Sequence, residues 1–332
     1  MRLATVEYQG APRCGVVTRD GLHLLPAAVT VAGLLAGGPE ALEQARRDAS
    51  SVPAVPLEQV RLLPPLAPPT VRDFVAFEEH VEGVRRSIDG VGGVVAQWYE
   101  APTFYFTNPY AVIGAHDDVP VPPGSQVLDF ELEVAAVIGR EGRDLTPEQA
   151  RDHIVGYTIF NDWSARDLQG REMKVNLGPA KGKDTATTLG PWLVTADELE
   201  SHRDSDGFLS LALVAEVNGR VVGRDLLSNM GWPFEDLVAY ASRGTVVRPG
   251  DVLGSGTCGN GGCLAELWGR GVSREDLPPL QPGDVVTLTV EGIGTISNRV
   301  VPGVAPVPVP AARPRPRTRP DAAPDRASVA AP

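Results

Sequence analysis

The 332-residue chain is poor in sulfur, with three cysteines (Cys14, Cys258 and Cys263) and three methionines. Three cysteines are too few for a disulfide framework and fit a reducing cytoplasm. Cys258 and Cys263 share one Gly-rich loop, but no second Cys/His pair at ligand spacing accompanies them, which argues against zinc. Basic charge is also short: 30 Lys and Arg face 42 Asp and Glu, a formal net charge of −12. A polyanion needs a basic footprint, so nucleic acid is not expected as a partner. The N-terminal stretch MRLATVEYQGAPRCGVV has no apolar signal core, and no run of 18 apolar residues occurs to span a membrane. There is no internal repeat of fixed period. The Gly- and Thr-rich segment LGPAKGKDTATTLGPW (177–192) lacks the spacing of a phosphate-binding loop.

What is present is ordinary for a globular chain: 42% hydrophobic and 22% charged residues, enough for one or two domains. Residues 1–62 read as a small β-rich unit, with hairpin strands around a turn at Arg19-Asp20-Gly21 and a short helix in ALEQARRDAS. LLPPLAPP is a Pro-rich connector, giving a linker at 63–70. Residues 71–301 are strand-rich, through LDFELEVAAVIG, HIVGYTIF, LSLALVAEVNGRVV and DVVTLTVEGIGTISNRVV. Helical pieces intervene at TPEQARDHI, with Thr146 as N-cap and Gln149 three residues on, and at WPFEDLVAYASR. The tail, 302–332, holds nine prolines and five arginines. That composition predicts disorder.

The chemistry concentrates in two places. Glu131 and Glu133 lie two apart in a strand-like run, so their carboxylates share a face. Asp162 closes the next apolar run. Three converging carboxylates repel unless a cation sits between them, and all-oxygen ligation suits Mg²⁺, Mn²⁺ or Ca²⁺. The bland alternatives are solvent-facing glutamates and a helix cap at Asp162. In DFVAFEEH, Asp73 and His80 are seven apart and would share one face of a helix. Lys183 stands in the Gly/Thr loop, and Glu266 ends a second Gly-rich loop, GSGTCGNGGCLAEL.

Together and in this order, LDFELEVAAVIG, GYTIFNDWSARDLQ, LGPAKGK, GSGT and QPGDVVTLTVEGIGTISN resemble the fumarylacetoacetate hydrolase family over about 71–301. The resemblance implies a mainly β fold with some α, a mixed β-sandwich roll preceded by a small SH3-like β domain. It implies metal ligands at Asp73, Glu131, Glu133 and Asp162 for a divalent cation, Mg²⁺ first. It implies a catalytic His80 paired with Glu266, Lys183 at the oxyanion, and substrate contacts at Gln169, Thr257 and Thr187. It further implies a homodimer and a small dicarbonyl or 2-oxo acid as substrate.

Two departures sharpen the expectation. The position three after His80 is Gly83, where the hydratase and decarboxylase branches carry a glutamate; this favours the hydrolase branch. Val75 and Met173 replace substrate-contacting tyrosines, and Asp89 stands where a recognition arginine falls, with Arg85 and Arg86 nearby. A less acidic or more apolar acyl group than that of fumarylacetoacetate is therefore expected. The leading expectation is hydrolysis of a carbon–carbon bond in a 1,3-diketo acid, with His80 as general base. The alternatives are a 2-oxo acid hydratase, isomerase or decarboxylase of the same fold, and a non-catalytic metal- or ligand-binding protein.

Overall fold

The computed structural model describes residues 1–315, except the side chains of Ile88 and Asp89; Asp89, standing where a recognition arginine falls, and residues 316–332 of the tail lie outside that description. Residues 302–315 are exposed and without regular secondary structure.

The N-terminal residues form a meander: β1 (Arg2–Tyr8), β2 (Ala11–Thr18) and β3 (Gly21–Leu24). The turn falls at Arg19-Asp20, and Gly21 takes a positive φ of 128°. Helix α1 (Val31–Ser50) covers this meander, longer than the short helix expected and bent at Gly38, which is non-helical. Then follow β4 (Val71–Phe74), α2 (Glu78–Asp89), β5 (Phe104–Thr107), β6 (Leu132–Ile138), α3 (Pro147–Arg151) and β7 (Ile154–Asp162). α3 carries the expected capping box between Thr146 and Gln149. Next come α4 (Arg166–Met173), β8 (Thr187–Thr195), α5 (Ala196–Leu199) and the hairpin β9 (Ala212–Val217) and β10 (Arg220–Leu226). The hairpin turns on Asn218-Gly219, both at positive φ, as a two-residue loop requires. The chain ends with α6 (Phe234–Ser242), β11 (Val252–Gly254), α7 (Leu264–Gly269), β12 (Val285–Val290) and β13 (Gly294–Val301).

The main sheet runs β3-β2-β1-β8-β7-β6-β11-β4-β5, and a second sheet runs β10-β9-β12-β13. This is a mixed fold, mostly sheet with few helices. β6 and β7 are buried along nearly their whole length, because both faces of the sheet are covered. Continuous apolar text such as LEVAAVI is what a doubly covered strand requires.

The residue 1–62 unit is continuous with this sheet, since β1 pairs with β8 at Arg2↔Val194 and Leu3↔Leu193. One core joins Leu3, Val16 and Leu35 to Phe160, Leu189 and Val252. No helix among the described residues is long and apolar enough to cross a membrane. Because the core is shared, Leu3→Ala should cost about 2–5 kcal/mol. Urea unfolding followed by fluorescence and by far-UV circular dichroism should give coincident transitions in wild type and variant. An earlier, separate transition for residues 1–62 would contradict a shared core.

Candidate metal centre and active-site cavity

Five strands converge on one buried acidic cluster. Asp73 lies on β4, and Tyr105 stands opposite it on β5 in antiparallel register. Glu133 is on β6; Glu131 precedes that strand, in a gap after the two-residue strand Leu128–Asp129. Asp162 ends β7, where its N–H donates to the Glu131 carbonyl at 3.3 Å. The parallel partner of Asp73 is Gly254 on β11. A Cβ at Gly254 would lie 2.5 Å from Asp73 Oδ1 and 2.9 Å from Glu133 Oε2, so glycine is what lets these carboxylates close together.

Asp73, Glu131 and Glu133 each offer an oxygen within 4.8 Å of the others. Asp162 joins them through two bridges. The Tyr105 hydroxyl lies between Asp73 Oδ2, at 2.8 Å, and Asp162, with one proton to donate. The Lys183 ammonium donates to Glu131 and to Asp162 Oδ2, the latter at 2.7 Å. Arg166 holds the other Glu131 oxygen at 2.7 Å and also Asp129. Five buried carboxylates thus meet two buried cations, leaving three negative charges in excess if all ionise.

The electrostatics follow from that excess. Burial, reinforced by Asp162, pushes Asp73 up to about 7. Burial and Asp73 hold Glu133 well above the carboxylate range. Burial also works against the Glu131 anion, but Lys183 and Arg166 outweigh it and bring that group to about 2. Lys183 is raised: burial disfavours its charge, and Asp162 and Glu131 overcome the penalty. A divalent ion fits the site on three grounds. The donors are all oxygen. Asp73 Oδ1 and Asp162 Oδ1 are buried without a hydrogen-bond donor. The excess charge falls from three to one when the ion binds. Asp73, Glu131, Glu133 and Asp162 are the residues that would hold it.

A cavity of about 370 Å³ opens above the cluster. Its polar end includes His80, Arg166, Gln169, Lys183 and Thr257; its other side is Phe74, Val75, Val81, Val84, Phe104 and Met173, with Arg85. Val75 and Met173 thus line the wall, making it apolar. The segment 73–80 is not one helix: Asp73 is in a strand, and α2 begins at Glu78. Asp73 and His80 reach the cavity from different elements, since the β4–β11 ladder captures 71–74 before the helix starts. Burial pushes His80 down to about 4; the nearby Glu131 carboxylate works against this, and Arg166 and Lys183 add to it, so the neutral imidazole is favoured at pH 7.

The remaining expected site residues fall as follows. Thr257 Oγ1 contacts Glu133 Oε1 at 3.4 Å. Gln169 Oε1 accepts from Arg166 at 3.2 Å, and Gln169 lines the cavity. Thr187 is the ladder partner of Asp162, buried, with an unpartnered hydroxyl, and does not line the cavity. Glu266 is not paired with His80. It accepts from Gly261 N–H at 3.3 Å and sits 3.0 Å from Arg270, and burial pushes its carboxyl up to about 7. The His80 Nδ1 partner is Cys263 Sγ, at 3.7 Å.

Tyr105, Arg166, Asp129 and Cys263 were not identified from sequence. Arg166 stands inside the quoted motif NDWSARDLQ. Asp129 heads LDFELEV and accepts from Leu264 and Ala265 N–H at the start of α7. Nothing local marks Tyr105, because its link to Asp73 exists only through strand pairing. His23, His116 and His202 lie away from the cavity; His153 is buried on the Gln149 carbonyl.

Residues 70–301 match the family model Fumarylacetoacetate (FAA) hydrolase C-terminal. Oxaloacetate tautomerase FAHD2A, mitochondrial, of Homo sapiens is 31% identical over 275 residues, covering 82% of this chain and 80% of its own. The structure of fumarylacetoacetate hydrolase from psychrophilic Exiguobacterium antarcticum superposes with a TM-score of 0.70 at 28% identity, covering 91% of this chain and 99% of that one. That of 5-carboxymethyl-2-hydroxymuconate delta-isomerase from Mycobacterium smegmatis gives 0.65 at 27% identity, covering 91% and 100%.

Two predictions arise from the cluster. Tyr105→Phe removes the hydroxyl that orients Asp73 and Asp162, and should weaken Mg²⁺ or Mn²⁺ binding about 10–100-fold by calorimetry. The raised Asp73 pKa sets a pH dependence. Its protonated form stabilises the metal-free fold fully below about 4, and that contribution is lost as pH rises through about 7. Melting with EDTA should therefore show a loss of stability between pH 4 and 7 that added Mn²⁺ restores, with a larger metal-induced Tm rise at pH 8 than at pH 5.5.

Proposed function

The chain belongs to the fumarylacetoacetate hydrolase family of enzymes, and from that premise we propose that it is a divalent-metal-dependent 2-oxo acid tautomerase or isomerase. It moves a proton between carbon and oxygen next to the 2-oxo group. The observation that carries this reading is the placing of His80: a buried imidazole in the cavity wall whose Nδ1 lies against Cys263 Sγ, with no hydrogen-bonded carboxylate among the described residues. A neutral imidazole can take a proton from carbon and return it elsewhere. The expected hydrolytic pairing needs Glu266 beside His80 to hold the imidazole and stabilise the imidazolium. Here Glu266 is turned to Gly261 and Arg270.

A bound divalent ion supplies Lewis-acid polarisation of the 2-oxo acid and a fixed orientation for it. The chain's own residues supply the rest. Lys183 and Arg166 bring positive N–H groups to the cavity floor, where charge develops on the substrate oxygen. Gln169 and Thr257 add polar contacts at the same end. Val75, Val81, Val84, Phe104 and Met173 exclude water from the carbon that loses its proton.

Hydrolysis of a carbon–carbon bond in a 1,3-diketo acid is the second reading. The fourth carboxylate, Asp73, and the similarity to the Exiguobacterium antarcticum hydrolase favour it. Under either reading a homodimer acting on a small acid fits the family, and Mg²⁺ is the first ion to test.

The deciding assay follows enol absorbance of oxaloacetate and of acylpyruvates with Mg²⁺ or Mn²⁺, with products analysed by NMR. Ketonisation without cleavage is expected, and EDTA should abolish it. His80→Gln should lower turnover about 10²–10⁴-fold. Release of pyruvate and a second acid faster than ketonisation would establish the hydrolytic reading. No turnover of any such acid would leave a metal- and ligand-binding protein.

A further inference from the structure

Building on the role given to His80, we propose that Cys263 is its positioning residue: the sulfur is the hydrogen-bond partner of His80 Nδ1 and turns Nε2 toward the cavity. The two atoms lie 3.7 Å apart, and both residues are buried. Cys263 is the N-cap of α7, where Sγ accepts the Glu266 N–H at 3.4 Å. That bond fixes the sulfur. His80 lines the cavity and Cys263 does not, so the thiol stands behind the ring.

Among the described residues no carboxylate is hydrogen-bonded to His80. Asp129, at the same helix start, is occupied by Leu264 N–H, Ala265 N–H and Arg166. The separation of the two residues is set by backbone contact between α2 and α7. A Cβ at Gly83 would lie 2.5 Å from Glu266 Cγ, and one at Gly269 would lie 1.9 Å from the Gly83 carbonyl oxygen. Gly83 thus has a structural reason here: it lets α7 approach until Cys263 reaches the histidine.

The chemistry differs from that of a carboxylate orienter. A thiol is a weak donor and a weak acceptor and carries no charge. It can fix which nitrogen bears the proton without stabilising the imidazolium. A histidine held this way exchanges protons with substrate while staying neutral at rest, which suits proton transfer at carbon.

The test is nitrogen-15 NMR of the full chain with labelled histidine, recorded without substrate. Five histidines make the spectrum tractable. Wild type should show His80 as one neutral tautomer. Cys263→Ala should give a mixture of both tautomers and lower kcat by about tenfold or more with KM within about threefold, in line with other orienting partners. Cys263→Ser should recover most of the turnover. An alanine variant that keeps either the wild-type tautomer or the wild-type kcat overturns the proposal. If that variant does not fold, the wild-type spectrum still decides, because two exchanging His80 tautomers overturn it. The tautomer measurement needs no turnover, so it stands apart from failure of the proposed reaction.

Discussion

Mutual repulsion among buried carboxylates is the constraint on which this fold turns. Asp73, Glu131, Glu133 and Asp162 are brought together by strands that have no other reason to end in acid, and burial multiplies the cost of each charge. The chain answers part of that cost itself. Lys183 and Arg166 bind to Glu131 and hold it ionised, while burial pushes Asp73 and Glu133 up toward their protonated forms. The division is directional: one side of the cluster is satisfied by protein cations, and the other, with its donorless oxygens, is left for a hard ion.

The same division shapes the cavity. Its floor is charged and its flank is apolar. His80 enters from a helix rather than from the sheet, and its neutrality follows from burial and from the cations that serve Glu131. Tautomerases, isomerases and hydrolases can share this floor, because each needs an enolate stabilised in the same place. In this chain the His80 Nδ1 lies against the sulfur of Cys263.

Much of the site was legible in the sequence, and the reason is geometric. Glu131 and Glu133 were linked by an expected strand periodicity that brings them together although Glu131 itself precedes β6, and Asp162 by its place at the end of an apolar run. Tyr105 and Gly254 were not legible, because each matters through pairing with Asp73, across 32 and 181 residues of chain. Asp73 and His80 were linked by helical spacing that the strand β4 overrides. The hairpin turns and the Thr146 capping box were local and appeared as expected. The continuity of residues 1–62 with the main sheet depends on the β1–β8 ladder, a long-range contact that composition does not report.

The parallel β4–β11 ladder has a temporal consequence. Gly254 forms one wall of the acidic cluster, yet it is synthesised long after Asp73. During translation the early carboxylates emerge without that wall and without the β11 edge that β4 needs. The acidic cluster therefore closes only after β11 has been made and the chain from β4 to β11 has found its register.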